Sequence, residues 1–155
     1  IFFREPLFFD AMMLRRFIPV VQTALRRPLV PPQQLQWYST DYLENCDVAL
    51  ESIHNTVDEL ADGPLADDVD DIMYDSGVLS IQLKNVGTYI INRQAPNKQI
   101  WLSSPVSGPF HYDMVCTDDG SVQWLDTKDK HDLAQKLAQE FKHLYNQDVE
   151  FLMDE

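Results

Sequence analysis

One hairpin signal in the middle of the chain limits its fold more than any other feature. A turn is predicted at Gln94–Lys98, because Pro96 presets φ for a first turn position and Asn97 tolerates the next. Runs of strand-forming residues lie on both sides of this turn, at Thr88–Asn92 and at Gln99–Ser103. Two such runs joined by so short a link predict an antiparallel β-hairpin.

Four more strand-like runs surround the hairpin and follow one another through short links. They are Val69–Tyr74, Gly77–Leu83, Phe110–Cys116 and Ser121–Leu125. Consecutive strands with such short connections pair as neighbours that run in opposite directions. The sequence therefore predicts a six-stranded, mainly antiparallel sheet.

An amphipathic helix is predicted on each side of the strands. The first has Ser39 or Thr40 as its cap, and its apolar seam consists of Leu43, Cys46, Leu50, Ile53, Val57 and Leu60. The last has Thr127 as its cap, and its apolar line consists of Leu133, Leu137, Phe141 and Leu144. This order of elements indicates an α+β fold, a two-layer α-β sandwich with the N- and C-terminal helices packed on one face of the sheet. The side chains expected beneath the helices are Leu79, Ile81, Leu83, Ile100 and Leu102.

The other face of such a sheet is left uncovered. Side chains alternate between the two faces of a strand, so Gln99 and Trp101 point to the open face if Ile100 points to the helices. A tryptophan among amide side chains suits a docking surface better than a dry core. Two interpretations remain, because Trp101 either anchors a partner protein or only stabilises the sheet.

The first helix carries a stripe of carboxylates beside its apolar seam. The stripe consists of Glu44, Asp47, Glu51, Asp58 and Asp62, and it is followed by Asp67, Asp68, Asp70, Asp71 and Asp75. Residues 41–75 hold twelve acids and no Lys or Arg. Each like-charge pair at i,i+4 destabilises a helix by about 0.2–0.5 kcal/mol. The stripe is therefore either a solvated face or a site where oxygen ligands hold a hard cation or a basic partner.

The composition excludes several functions. A net charge of −13 argues against nucleic-acid binding, because contacts to phosphates need a basic patch. No run of 18 or more apolar residues occurs, so no membrane span is expected. The two cysteines form no disulfide framework, and we expect Cys46 on the helix seam and Cys116 in the core at a strand end.

The sequence contains no phosphate-binding loop and no catalytic-nucleophile motif. Of the histidines, His131 and His143 are expected on the polar side of the last helix. Glu51 and His54 have the Glu-x-x-His spacing of a di-iron bundle, but the four facing helices that such a bundle needs are not predicted. No catalytic residue is therefore predicted.

Residues 1–38 differ in charge from the rest of the chain, with five arginines against Glu5 and Asp10. Arginine pairs among apolar residues, with no acid between Met13 and Asp41, are typical of a mitochondrial transit peptide. The alternative is a basic surface arm. We expect 1–38 to lie outside the fold, with 1–11 upstream of the true start if Met12 or Met13 initiates, and 39–155 to form the domain.

The hairpin and its surroundings resemble a known signature. The run GTYIINRQAPNKQIWLSSPVSGP, from Gly87 to Pro109, looks like the signature of the frataxins. Ser76-Gly77-Val78-Leu79 before it, Tyr112-Asp113 after it, and the acidic helix ending Leu60-Ala61-Asp62 are similar to that family too. The resemblance covers about 41–145 and implies the same α-β sandwich.

The resemblance also implies a function in the mitochondrial matrix. It implies weak iron binding, as Fe²⁺ or Fe³⁺, by an acidic ridge, and activation of persulfide transfer in the cysteine desulfurase–scaffold complex that builds iron–sulfur clusters. It further implies ferrochelatase, an enzyme of heme biosynthesis, as a partner, and a monomer that forms iron-dependent oligomers. The alternative that it implies is a ferroxidase that oxidises Fe²⁺ to Fe³⁺ and stores iron in those oligomers.

Position by position, the resemblance assigns residues to two surfaces. The ridge acids are Asp58, Glu59, Asp62, Asp68 and Asp71, and the stripe adds Glu44, Asp47 and Glu51 as candidate metal ligands. The candidate partner contacts are Asn92, Gln94, Gln99, Ile100 and Trp101. His111 stands where the family commonly has an arginine against the scaffold's cysteine loop. A histidine there can still donate a hydrogen bond, but it carries no permanent charge.

Overall fold

The computed structural model describes residues 32–118 and 120–153, with side chains from residue 41 onward. This part of the chain contains two α-helices and six β-strands. Of the predicted transit segment 1–38, residues 1–31 lie outside the described part of the chain. In chain order the elements are α1 (Pro32–Ala61), β1 (Val69–Asp75), β2 (Val78–Leu83), β3 (Gly87–Gln94), β4 (Gln99–Ser104), β5 (Gly108–Cys116), β6 (Val122–Asp126) and α2 (Leu133–Tyr145).

The six strands form one antiparallel sheet in the order β1-β2-β3-β4-β5-β6. A one-turn 3₁₀ helix, Ala95–Asn97, joins β3 to β4, and Lys98 closes it in the left-handed conformation, at φ 55°. Both helices lie on the same face of the sheet, as predicted from the element order. The five strand residues expected beneath the helices are all at most 3% exposed.

The first helix begins earlier than predicted. Its first residue is Pro32 rather than a position after a cap at Ser39 or Thr40, so the predicted cap is wrong and the helix crosses the expected boundary at 38. Proline suits the first helical turn, because its missing N–H has no partner there in any case and its φ is already helical.

The apolar seam of α1 includes Tyr42 in place of the predicted Leu43. Leu43 is 38% exposed, whereas Tyr42 is 1% exposed and packs edge-on against Trp124 at 6.1 Å between ring centroids. Of the rest of the predicted seam, Cys46, Leu50, Ile53 and Val57 are buried and Leu60 is half-buried. Tyrosine takes the core position because its ring fills the space while its hydroxyl reaches a polar atom of the sheet.

The second helix begins at Leu133, and its cap is Asp132 rather than Thr127. The Asp132 side chain accepts a hydrogen bond from the backbone N–H of Gln135, which satisfies one of the free donors of the first turn. Residues 127–131 instead form a turn that follows β6. His131 therefore lies before the helix and not on its polar side, whereas His143 is exposed on the helix as predicted.

The C-terminal segment returns over the two helices. Phe151 and Met153 are 5% and 8% exposed, and the Ser52 hydroxyl on α1 donates to the backbone carbonyl of Leu152. The side chain of Leu152 is 41% exposed and does not join this packing. Among the described residues, no helix is long and apolar enough to cross a membrane.

Candidate docking face and carboxylate ridge

The uncovered face of the sheet is centred on Trp101. On its strand β4, Trp101 pairs with Asn92 of β3 on one side and with His111 of β5 on the other. The rings of Trp101 and His111 stack, with centroids 4.4 Å apart and planes 23° from parallel. The tryptophan is half-buried by these neighbours and still reaches solvent.

A chain of hydrogen bonds fixes the orientation of this indole. The indole Nε1–H of Trp101 donates to Oε1 of Gln99 at 2.9 Å, and Nε2 of Gln99 donates to Oδ1 of Asp113 at 2.8 Å. The amide oxygen of Gln99 therefore fixes the indole of Trp101, and its amide nitrogen is fixed by Asp113. Such a side chain is already ordered before any partner arrives, which reduces the entropic cost of binding.

A shallow pocket of about 130 Å³ lies beside Trp101 on this face. Its lining includes Ile90, Asn92, Ser103, Pro109 and His111. Within the described part of the chain, Oδ1 of Asn92 is buried and has no hydrogen-bond partner. A buried acceptor without a donor costs free energy, so a partner that supplies an N–H or O–H here would gain a favourable contact.

Two of the predicted partner residues lie away from the centre of this face. Gln94 is half-buried at the end of β3, opposite Gln99. Ile100 is 0% exposed and packs in the core between the sheet and the helices. The assignment of Ile100 as a contact residue is therefore wrong, because the alternation that exposes Trp101 turns its neighbour inward.

Two contacts connect the hairpin of β3 and β4 to α1. The hydroxyl of Tyr42 donates to the backbone carbonyl of Gln99 at 2.8 Å. Nη1 of Arg93 lies 2.5 Å from a carboxylate oxygen of Asp47, which also accepts a hydrogen bond from the hydroxyl of Tyr74 at 3.2 Å. Asp47 is thus engaged by protein groups, and the stripe has a basic partner that lies far away in the sequence.

The remaining ridge carboxylates are mostly exposed. The exposed acids of α1 include Glu44, Glu51, Asp58 and Glu59, and exposed Asp62 directly follows the helix. On β1, Asp70 and Asp71 are exposed, and Asp68 before the strand is half-buried. A groove of about 280 Å³ between the end of α1 and β1 is lined by Asp58, Asp70 and Asp71 together with apolar residues. Lys84 lies 3.8 Å from Asp70 at its edge.

The ridge acids do not converge as a preformed site. In residues 41–118 and 120–153, the only set of three ligand atoms within 4.8 Å of one another belongs to Asp126, Asp129 and His131, away from the ridge. Exposed carboxylates that do not converge can bind hard cations only loosely, with water completing the coordination. Sequence reasoning had placed His131 in solvent and missed this cluster.

A buried carboxylate supports the loop that leads into the docking face from β4. Glu140 of α2 is 4% exposed and accepts hydrogen bonds from the hydroxyls of Tyr89 at 2.7 Å, Ser104 at 2.6 Å and Ser107. Nζ of Lys136 lies 3.5 Å from it. The sequence carried a signal for this role, because Glu140 follows Leu137 by three residues and so falls on the apolar line of the helix.

Burial raises the pKa of two groups near Asp47, the Cys46 thiol and the Tyr74 hydroxyl. Burial, with the nearby charge of Asp47, raises the pKa of the Cys46 thiol to about 11. Burial, followed by the charge of Asp47, raises the pKa of Tyr74 to about 12, so its hydroxyl stays a donor.

Cys116 is exposed, which makes its predicted place in the core wrong. His54 is half-buried, and its ring centroid lies 6.5 Å from that of Tyr74.

Comparison with known proteins assigns the fold to a family. The family model of the Frataxin-like domain matches residues 36–147. Curated relatives include a mitochondrial frataxin-like protein of Leishmania donovani, 45% identical over 61% of this chain, and a mitochondrial frataxin homolog of Schizosaccharomyces pombe, 37% identical over 74%. The aligned region covers 49% of the first relative and 70% of the second, so this chain spans about half the length of the Leishmania protein.

Solved structures give the same result. A trimeric frataxin from the yeast Saccharomyces cerevisiae, complexed with ferrous ion, matches 66% of this chain and 87% of its own, with 32% identity and a TM-score of 0.57. A second structure of yeast frataxin matches 78% of this chain and 94% of its own, with 30% identity and a TM-score of 0.58. The chain belongs to the frataxin family.

Proposed function

We propose that this protein is an iron-binding regulator of mitochondrial iron–sulfur cluster assembly. In this proposal its uncovered sheet face docks on the complex of a cysteine desulfurase with its scaffold protein and rearranges the mobile cysteine loop between them. Persulfide transfer then becomes faster, while the protein itself forms no covalent intermediate. Iron is cargo here, bound and released by surface carboxylates.

The observation that carries this proposal is the fixed tryptophan on an uncovered face. An aromatic anchor contributes most to binding when it is central, rigid and surrounded by polar groups that complete the seal against water. Trp101 has Gln99 on its indole N–H and His111 against its ring, with the unpaired Oδ1 of Asn92 beside it. These features suit a partner surface that offers an apolar contact and a hydrogen-bond donor.

His111 takes a share of this contact in place of the arginine that is common in the family. Its stack on Trp101 presents one ring edge to a partner, where a ring N–H can donate to a backbone carbonyl or a thiolate. A permanent positive charge is not needed for that contact. We therefore expect activation of the desulfurase complex with a smaller electrostatic contribution than an arginine would give.

The carboxylate ridge has the second role in the proposal. Asp58 and Asp71 line one groove, and ridge acids outside the Asp47–Arg93 pair present their oxygens to solvent. Oxygen ligands of this kind suit Fe²⁺ weakly, and the same charge suits a basic surface of the desulfurase. The yeast relative that was solved with ferrous ion supports the choice of iron.

The names of the relatives support the cellular location and the oligomeric state that we propose. Several are mitochondrial frataxins, which supports a mitochondrial location, and we place the protein in the matrix where clusters are built. The trimeric yeast structure supports oligomers that form with iron from a protein that is otherwise monomeric. Ferrochelatase is a second partner in this scheme, because it also consumes Fe²⁺.

The rate of sulfide formation by a desulfurase–scaffold complex tests the proposal. Adding this protein should raise the rate of sulfide release, and with Fe²⁺ present the rate of cluster formation. Bovine serum albumin at the same concentration serves as the control for a nonspecific effect. Rates that stay at the albumin level would contradict the proposal.

The groove with three aspartates favours one alternative function, a ferroxidase that also stores iron. Carboxylate oxygens prefer Fe³⁺ to Fe²⁺, so four Fe²⁺ ions would each give one electron to one dioxygen molecule, which takes up four protons and is reduced to two water molecules. Anaerobic loading with Fe²⁺ followed by an oxygen pulse measures this oxidation by absorbance. Comparison with Asp58→Asn plus Asp71→Asn separates it from oxidation in solution, and light scattering records any growth of oligomers.

A further inference from the structure

The turn between β6 and α2 gathers three potential metal ligands that the proposed function does not use. Asp126 ends β6, and Asp129 and His131 follow it in the turn. One ligand atom from each lies within 4.8 Å of the other two. The turn is closed by the backbone, since the N–H of Asp126 donates to the carbonyl of His131 at 2.9 Å. These atoms therefore come together through the fold itself.

Asp126 supplies a rigid, buried carboxylate. It is 2% exposed, and its Oδ2 accepts the backbone N–H groups of Lys128 at 2.8 Å and Asp129 at 3.1 Å. No Lys or Arg within the described residues forms an ion pair with this buried carboxylate. Buried carboxylates usually have a cation as partner.

His131 is held in the orientation that a metal ligand needs. Its Nε2 lies 2.8 Å from the hydroxyl of Tyr112, which is fully buried, and its ring stands edge-on to Phe110 at 5.1 Å. Its Nδ1 is turned to the carboxylate of Asp129. A metal-binding histidine commonly has its second nitrogen fixed by an oxygen in this way, which sets the ring orientation and tautomer.

We propose that Asp126, Asp129 and His131 bind a divalent first-row transition cation at a site separate from the ridge. The cation takes one oxygen from each aspartate and Nδ1 of the histidine, while Nε2–H donates to the oxygen of Tyr112. Water fills the remaining positions. Two carboxylates and one imidazole suit Zn²⁺, Mn²⁺ and Fe²⁺.

The geometry requires one small movement and a change of tautomer, because Nδ1 of His131 faces the Asp129 carboxylate as an N–H donor before the cation binds. Metal–ligand bonds of about 2.1 Å put tetrahedral ligand atoms about 3.4 Å apart. Asp129 is exposed, so its side chain can turn from direct contact with His131 to make room for the cation between them. The buried Asp126 and the anchored imidazole stay where they are.

Zn²⁺ titration of the full chain, followed by NMR of the histidine rings, tests the proposal. All four histidines of the chain lie in the described residues, so each gives an assignable signal. We expect the first equivalent of Zn²⁺ to shift the ring of His131 while those of His54, His111 and His143 stay unchanged. Asp129→Asn should weaken this binding at least tenfold and leave the fold intact, because its carboxylate is exposed.

Two controls make the result decisive. His143→Gln removes an exposed histidine of α2 and should leave the Zn²⁺ affinity of His131 unchanged. Asp58→Asn plus Asp71→Asn neutralises the ridge groove and should also leave it unchanged. If Zn²⁺ shifts the His131 ring equally in wild type and in Asp129→Asn, or does not shift it at all, the contact between Asp129 and His131 is only an ion pair and the proposal is wrong.

Discussion

Trp101 and His111 stack across β4 and β5, with ring centroids 4.4 Å apart, on the face of the sheet opposite α1 and α2. The stack, together with the Gln99 hydrogen bond, orders a large side chain in the free protein. Ordering such a side chain on binding would otherwise cost about 0.5–1.5 kcal/mol. The predictions below follow from this arrangement and from the groups that support it.

Replacing Gln99 should disorient Trp101 without unfolding the protein. Gln99→Leu removes the acceptor of the indole N–H and the donor to Asp113 while keeping the side-chain volume. We expect the indole N–H resonance of Trp101 to shift and the affinity for the desulfurase–scaffold complex to fall about fivefold, as for a lost hydrogen bond of about 1 kcal/mol. Gln82→Leu, an exposed glutamine on β2, is the matched control. An unchanged indole resonance and affinity in Gln99→Leu would refute the orienting role.

Removing the buried carboxylate of α2 should destabilise the whole domain. Glu140→Ala leaves the buried hydroxyls of Tyr89 and Ser104 without an acceptor, so the free energy of unfolding should fall by about 3 kcal/mol. Urea titration followed by far-UV circular dichroism measures this loss. The neighbour Gln139 is exposed, and Gln139→Ala should change stability by less than about 0.5 kcal/mol. Equal stability of the two variants would contradict the role of Glu140.

The two cysteines should differ sharply in reactivity. Burial raises the pKa of Cys46 to about 11, so near pH 8 its thiol stays protonated and enclosed, whereas Cys116 is exposed. Iodoacetamide should alkylate Cys116 in the folded protein and Cys46 only after denaturation, as judged by peptide mass spectrometry. Because the folded pKa of Cys46 is raised, its contribution to stability is present below the unfolded value of about 8.5 and is lost as pH rises toward the folded one. Rapid labelling of Cys46 in Cys116→Ser would exclude this account.

Binding of Fe²⁺ at the ridge should depend on the groove aspartates Asp58 and Asp71 and not on every acid of the stripe. Fe²⁺ at ten times its dissociation constant should stabilise the fold by about 1.4 kcal/mol, and we expect Asp58→Asn plus Asp71→Asn to remove most of the rise in Tm. Asp47→Asn should keep it, because that carboxylate already binds Arg93 and Tyr74. Anaerobic thermal scans with and without Fe²⁺ measure the difference. A loss of the Fe²⁺ effect in Asp47→Asn, with no loss in the double variant, would reverse the assignment.

The element order could be predicted from sequence because strand periodicity, turn residues and amphipathic spacing are local signals. The position of Trp101 on the face opposite the helices could be predicted from the same alternation of side chains along the strand that buries Ile100. The ion pair of Arg93 with Asp47 could not be predicted, since it joins residues 46 positions apart that only the packing of α1 on the sheet brings together. Helix starts were missed where competing caps exist, because Asp132 rather than Thr127 offers its side chain to the first turn of α2.

His131 illustrates the same limit at the second metal site. Its sequence neighbours suggested a solvated helix face, yet a turn held by Asp126 places its ring against Tyr112 and Phe110. Tyr112 lies 19 positions away, on β5. Such a pairing depends on the register of β5 with β6, which turn signals alone do not fix.

The central claim is that Trp101 anchors the desulfurase–scaffold complex, and one measurement tests it most directly. Trp101→Ala should bind the complex at least thirtyfold more weakly, as for an interface anchor that contributes about 2 kcal/mol or more, and sulfide release should fall to the rate without this protein. Met73→Ala truncates an exposed apolar side chain on β1 and should activate like wild type. Full activation by a correctly folded Trp101→Ala would contradict the account.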